Sequence, residues 1–198
     1  MQRSQNRQLT RREPPPTPWR ILTTMKRFAL LASAAGLAAL SFAQEANPKL
    51  VQSIGKPISQ FSLVTTTGQK FSTSGLKGKV VLLDFWATWC GPCKVASHSM
   101  EKLHQNYGAK GLTVIAPDMN EFGVKGVAAK YKKQQGYTFH FTEDNSAFAG
   151  KIGVVSVPAI ILIDKKGVIR GVWSNLPTGG PEQLYSQIEA KLKPLLSG

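Results

Sequence analysis

Only two of the 198 residues are cysteine, Cys90 and Cys93, and a fold held mainly by a disulfide framework is thereby excluded. Separated only by Gly91 and Pro92, they would close too small a loop to restrain the unfolded chain usefully, so their purpose is chemical. A second pair is missing too; zinc needs about four ligands at compatible spacing, and no metal site is expected. No apolar stretch reaches the ~20 residues of a membrane span; the run Phe28 to Leu40 falls short of it. Acids are scarce, 11 Asp and Glu against 25 Lys and Arg, for a formal charge of +14. With 42% hydrophobic residues the chain can bury one ordinary core, and its length favours one domain.

The basicity is partly a property of the beginning. Residues 1–43 hold seven cations (Arg3, Arg7, Arg11, Arg12, Arg20, Lys26, Arg27) against Glu13, so without them the charge falls by six to +8. The remainder is spread out, densest at Lys130-Tyr131-Lys132-Lys133 and Lys165-Lys166. No aromatic stacking platform accompanies a basic groove, so a solvated face is expected and nucleic acid is not a partner. Weak association with an anionic membrane surface fits the same charge.

From Met25 the sequence reads as a signal peptide: Lys26-Arg27, the apolar run, then Ser41-Phe42-Ala43 with small residues at the two positions a signal peptidase inspects. Export to a periplasmic or other extracytoplasmic space is the expectation, with a membrane tether if the run is retained. No cysteine lies near the cleavage point, which removes lipid attachment there. Residues 1–24, arginine-rich and broken by Pro14-Pro15-Pro16 and Pro18, cannot form a packed element; Met25 would make a conventional start, with the preceding segment an extension or a long leader. Arg11-Arg12 is cut off from the apolar run by Glu13 and prolines, against a twin-arginine signal.

Residues 44–57 read as an irregular spacer and 58–198 as the folded domain. Phe61 and Leu63, the turn Thr67-Gly68-Gln69 and Phe71 suggest a small β-hairpin. Val80 to Trp86 is almost continuously apolar, as for a strand covered on both faces. After the cysteines, Ala96, Met100, Leu103 and Tyr107 recur at helical spacing, and Gly108 and Gly111 end the segment. A buried strand at Leu112–Ala116, a basic helix over Glu121–Gln135, a short strand at Tyr137–Phe141 and a helical piece at Ala147–Ile152 follow. Ala159–Asp164 is a buried strand, Asp164–Gly167 a turn, Val168–Trp173 its hairpin partner, and Leu184, Ile188 and Leu192 mark a terminal helix. Alternating strand and helix closed by a hairpin predict an α/β fold with a mixed central sheet flanked by helices.

A Cys-x-x-Cys pair between a strand and a helix puts the first thiol at a helix N-terminus, where free N–H groups and the helix dipole favour a thiolate. Cys90 is then the nucleophile and Cys93, one turn inward, the resolving thiol. The stretch Asp84-Phe85-Trp86-Ala87-Thr88-Trp89-Cys90-Gly91-Pro92-Cys93-Lys94 closely resembles the active site of the thioredoxin superfamily. The likeness extends over most of Ile58 to Leu195. Its leading hairpin, the Leu76-Lys77-Gly78-Lys79 approach and an extra αβ insertion near 121–141 resemble the exported TlpA/ResA-like branch, related to the AhpC/TSA redoxins.

That resemblance implies a thioredoxin-like fold and an extracytoplasmic thiol-disulfide oxidoreductase that reduces protein disulfides, including those of cytochrome c apoproteins. The redox-active Cys90–Cys93 disulfide would be its only prosthetic device, with no bound cofactor. A membrane or periplasmic electron donor would recharge it, and a monomer is expected. Asp84, six residues before Cys90, matches a buried carboxylate that assists proton transfer at the inner cysteine. Val157-Pro158 matches a cis-proline turn that faces the disulfide and receives the substrate peptide; an X–Pro bond is cis at a cost of only ~0.5–1 kcal/mol. Trp89, with Gly91 and Pro92, would line the rim.

Three departures stand out: Ala96 where the branch often has a glutamate, His98 where thioredoxins have a proline, and no lysine within Thr113–Ala116 to face Asp84. A disulfide oxidase or isomerase uses the same residues in another direction. A peroxiredoxin-like peroxidase would need a Pro and a Thr or Ser at set distances before its cysteine, and Thr88 is one position too close. A non-catalytic binding module is the remaining alternative, and the presence of both cysteines and Pro158 argues against it.

Overall fold

The computed structural model describes residues 47–119, 121, 124–143 and 145–198. The leader, the signal run and the first three residues of the expected spacer lie outside the described residues. Among the described residues no helix is long and apolar enough to cross a membrane.

The described chain opens with a one-turn helix α1 (Pro48–Val51), followed by the hairpin strands β1 (Ser62–Val64) and β2 (Lys70–Ser72). Then come β3 (Val80–Phe85), α2 (Gly91–Tyr107), a 3-10 turn at Gly108–Lys110, β4 (Leu112–Pro117), α3 (Val127–Gln135) and β5 (His140–Thr142). The chain ends with α4 (Ser146–Ile152), β6 (Ala159–Ile163), β7 (Ile169–Trp173) and α5 (Gly180–Ser197). The main sheet has the order β5-β4-β3-β6-β7, with β3, β4 and β5 parallel and β6 and β7 antiparallel to their neighbours. This is the mixed α/β sheet expected.

β3 is buried at all six positions, because opposite faces of a strand alternate and here both are covered. Val80, Leu82 and Trp86 pack with Met100 and Leu103 of α2, Tyr131 of α3, and Leu184 and Ile188 of α5. Val81, Leu83 and Phe85 pack on the other side with Leu50, Leu63 and Ala149. Both long sheet edges are partly covered. Thr65 pairs with Thr142 beyond β5, and Gly55 and Ile58 donate N–H bonds of 2.8 and 2.9 Å to the Ile169 and Gly167 carbonyls beside β7. At the β6–β7 turn Asp164 Oδ1 accepts the N–H groups of Lys166 and Val168, both at 2.9 Å, while Oδ2 accepts Arg170 Nε at 2.7 Å.

Three expectations need correction. Residues 47–57 are not a spacer: Leu50 is fully buried, and Asn47, also fully buried, ties this segment to the turn before β6. Its Oδ1 accepts the Val155 and Ser156 N–H groups at 2.8 and 3.2 Å, and its Nδ2 donates to the Ser156 carbonyl at 3.3 Å. Gly153 closes the contact: at φ 85° its missing Cβ leaves room for Lys49 Cβ, which any side chain there would meet at 3.3 Å. The basic helix also starts later than Glu121. Gly126, at φ 76°, precedes α3, and its N–H donates to Glu143 Oε2 at 2.7 Å, so a carboxylate from beyond β5 fixes the helix start. The strand after it lies at His140–Thr142 rather than Tyr137–Phe141.

Removal of the Asn47 carboxamide leaves two turn N–H groups without that acceptor, at ~1–3 kcal/mol for a buried polar group stranded in this way. Asn47→Ala should therefore lower the unfolding free energy by an amount in that range, read as a lower urea midpoint at unchanged slope; an unchanged midpoint would mean that the segment is a spacer after all.

Candidate active site

β3 runs straight into the redox pair. Pairing continues past its last residue, with Trp86 opposite Asp118, and the chain then turns through Ala87, Thr88 and Trp89 into α2. Cys90 is the N-cap of that helix in extended conformation, Pro92 lies within its first turn, and the Cys93 N–H donates to Cys90 Sγ at 3.2 Å. A sulfur at this position meets the free N–H groups and the positive end of the helix dipole, both of which favour a thiolate. Cys90 and Cys93 are joined as a disulfide. Cys90 retains 5% exposure and Cys93 none, so an approaching group reaches Cys90 first.

Gly91 and Pro92 are exposed beside the pair. Trp89 is 54% exposed, a large value for an indole, and gives the rim an apolar surface. The Val157–Pro158 peptide is cis, Val157 is half-buried and Pro158 is buried.

Asp84 shares a β3 face with Leu82 and Trp86, turned toward the helix that carries Cys93. Both carboxyl oxygens are buried without a hydrogen-bond partner among the described residues, as are Trp86 Nε1 and the Tyr137 hydroxyl. Burial pushes the Asp84 carboxyl from 3.8 up to about 7, because a charged group loses its hydration there. The neighbouring residues are phenols: Trp86 stacks on Tyr131 with ring centroids 4.7 Å apart, and Tyr131 lies 6.1 Å from Tyr137. Burial raises both phenols, with Asp84 adding to the rise. They come from the αβ insertion, and Ala116 on β4 supplies no cation, as the sequence indicated.

Among the described residues no three His, Cys, Asp or Glu side chains gather as a metal site. Residues 53–175 match the model of the family described as Redoxin. The chain belongs to the Redoxin family. ResA of Bacillus thuringiensis (strain Al Hakam), a thiol-disulfide oxidoreductase, is 34% identical over 142 residues, 71% of this chain and 77% of that protein. The thioredoxin-like protein YneN of Bacillus subtilis (strain 168) is 37% identical over 123 residues, 60% of this chain and 69% of that one. Among solved structures, a thiol:disulfide interchange protein DsbE from Chlorobium tepidum superposes with a TM-score of 0.62 at 32% identity, over 70% of this chain and 97% of that one. This Redoxin chain is a thiol-disulfide oxidoreductase of the ResA/DsbE type, with Cys90 and Cys93 as its cysteine pair.

Elsewhere in the Redoxin chain, His98 is an exposed residue of α2 whose Nδ1 lies 3.0 Å from the Lys94 carbonyl, and its ring meets Tyr137 edge-on at 6.0 Å. Trp86 is fully buried core, and Trp173 is half-buried against the same cluster. Sequence reasoning missed two participants. Ser97 donates to the Cys93 carbonyl at 3.0 Å, an ordinary i to i−4 bond with no sequence signature. Glu121, expected at the start of a helix, instead reaches Thr88 beside the pair; its one sequence signal is being an acid next to a basic segment.

The Asp84 shift has a sign that can be measured. Between about pH 4 and 7 the folded chain keeps a proton at Asp84 that the unfolded chain has lost, so stability falls across that window and stays lower above it. The full difference is about 4 kcal/mol. Asp84→Asn removes this titration, so the stability of the parent minus that of the variant, from urea unfolding of the oxidised proteins, should fall steadily from pH 4 to 7. A difference independent of pH would exclude a raised carboxyl.

Proposed function

We propose that this chain reduces the disulfides of proteins outside the cytoplasm, with Cys90 attacking, Cys93 resolving and Asp84 handling the inner proton. The observation that carries the reading is the position of the pair: one sulfur reachable at a helix N-terminus beside exposed Trp89, the other buried one turn below. In the dithiol form, the Cys90 thiolate attacks one sulfur of a substrate disulfide; a Cys90–substrate disulfide forms, and the first substrate thiolate leaves and takes a proton from water. Cys93 then passes its proton to Asp84 and attacks Cys90 Sγ. The Cys90–Cys93 disulfide closes, and the second substrate sulfur departs as a thiolate that takes its proton from Asp84 or water. Two electrons have moved to the substrate, and a dithiol donor outside the cytoplasm must return two.

Asp84 suits the second step because a carboxyl titrating at about 7 both accepts and releases a proton near neutral pH. Trp89, Gly91, Pro92, Val157 and Pro158 form the rim against which the substrate chain would lie. No prosthetic group beyond the disulfide is required, and a monomer suffices. Export rests on the pattern Lys26 to Ala43, and apocytochromes c are the substrates suggested by the resemblance to ResA-like proteins.

With dithiothreitol as donor, the chain should reduce insulin, and Cys90→Ser should lower turnover to the uncatalysed rate. Cys93→Ala should instead accumulate a mixed disulfide through Cys90, visible as a mass-shifted, dithiothreitol-sensitive adduct. Undiminished turnover in Cys90→Ser would sink the mechanism, and a reduction potential well above about −200 mV would reverse its direction toward oxidation.

A further inference from the structure

The parallel ladder between β3 and β4 outlasts both strands. The Trp86 N–H donates to the Pro117 carbonyl at 3.2 Å and the Met119 N–H to the Trp86 carbonyl at 3.0 Å. In a parallel ladder alternate residues of one strand make the bonds to a given neighbour, so the next N–H due on this side is that of Thr88. It is taken by a side chain. Glu121 Oε1 accepts the Thr88 N–H at 2.5 Å, and Oε2 accepts the Thr88 hydroxyl at 2.7 Å.

Both residues are half-buried. Hydrogen bonds to an ionised acceptor are roughly twice as strong as neutral ones, and two on one residue fix its orientation as well as its position. The residue so fixed is two before Cys90, and Trp89 lies between them. The carboxylate therefore replaces the last rung of the ladder at the point where the chain leaves the sheet for the redox helix.

We propose that Glu121 is a positioning residue for the redox pair: through Thr88 it fixes the turn that presents Trp89 and Cys90, and its charge holds the Cys90 thiol less acidic than the helix N-terminus alone would make it. The proposal rests on the reading of Cys90 as the attacking thiol. A negative charge near a thiol disfavours the thiolate, opposing the free N–H groups of α2. Among the described residues, the other titratable or charged groups around the pair and its turn are Lys94 and His98 on α2, Asp84 on β3, the buried Asp118 opposite Trp86 beyond β4, Tyr131 on α3 and Tyr137 before β5. The 154–158 turn contributes Val154, Val155, Ser156, Val157 and Pro158, none of them charged. Glu121 is thus the acid joined directly to the turn that carries the attacking sulfur.

The test uses the full chain, reduced, and follows the pH dependence of iodoacetamide alkylation at Cys90, with peptide mapping to identify the cysteine modified. Glu121→Gln keeps an acceptor oxygen and loses the charge; its alkylation midpoint should move down by about half a unit or more, giving roughly threefold faster alkylation one unit below the parent midpoint. Thr88→Val keeps the charge and loses the hydroxyl bond; its midpoint should move less, while its KM for insulin rises. Glu121→Asp should restore the parent midpoint. Parent-like midpoints in both Glu121→Gln and Glu121→Ala, with Cys90 still reacting before Cys93, would overturn the Glu121 proposal alone. If Cys93 reacts first in the parent, the reading of Cys90 as nucleophile falls, and this proposal with it. Should Glu121→Ala fail to unfold cooperatively in urea, Glu121→Gln decides.

Discussion

The burial of β3 on both faces, with hydrogen-bonded neighbours on both edges, is the constraint from which the rest follows. Val81 to Leu83 pair with β4 on one side and with β6 on the other, so the strand cannot shift register without breaking two ladders and exposing one of its apolar faces. This rigidity passes along the backbone to the site. Asp84 projects from the strand itself, and Cys90 lies a few residues beyond its end, after a turn held first by the remaining β4 ladder and then by Glu121. A reactive sulfur placed on a helix start is only as well positioned as the strand that leads into that helix.

The parts legible in the sequence are those whose signal is local. Val80–Phe85 announces itself by continuous apolar residues, the β6–β7 hairpin by Asp164-Lys165-Lys166-Gly167, and the redox pair by its own chemistry. Where structure depends on distant partners, the sequence is silent. Asn47 reads as one polar residue in a polar stretch; it is buried because Val155 and Ser156, more than a hundred positions away, present N–H groups to it. The start of α3 is hidden for the same reason, since Glu143 fixes it from beyond β5. Glu121 looked like a first-turn helical acid because its actual partner, Thr88, is 33 residues away.

These long-range side-chain bonds share a pattern. Asn47, Glu121 and Glu143 each satisfy backbone N–H groups at places where regular pairing stops: the turn before β6, the exit from β3 and the start of α3. Backbone donors left over at such points carry a penalty if unmet, and a carboxylate with two acceptor oxygens, or a carboxamide whose single oxygen has two lone pairs, is well suited to meet them. Two of the three borders lie against the candidate site, the cis-proline turn through Asn47 and the cysteine turn through Glu121. The groups that would receive a substrate chain are therefore held by side chains where the sheet's own ladder ends.

The wall that secures β3 also determines the chemistry of Asp84. A carboxyl facing α2 and α3 loses water as completely as Leu82 and Trp86 do, and the residues close to it are phenols, which carry no charge at neutral pH. With Ala116 on the neighbouring strand, no cation among the described residues offsets the loss of hydration, so the acid holds its proton up to about pH 7. A fully ionised aspartate in this position would be a permanent cost to the fold, and a fully protonated one could accept nothing from Cys93. Burial among phenols leaves it between the two. The aromatic packing that Tyr131 and Tyr137 contribute to the core is thus also what keeps Asp84 balanced at the pH where the proposed proton transfer would use it.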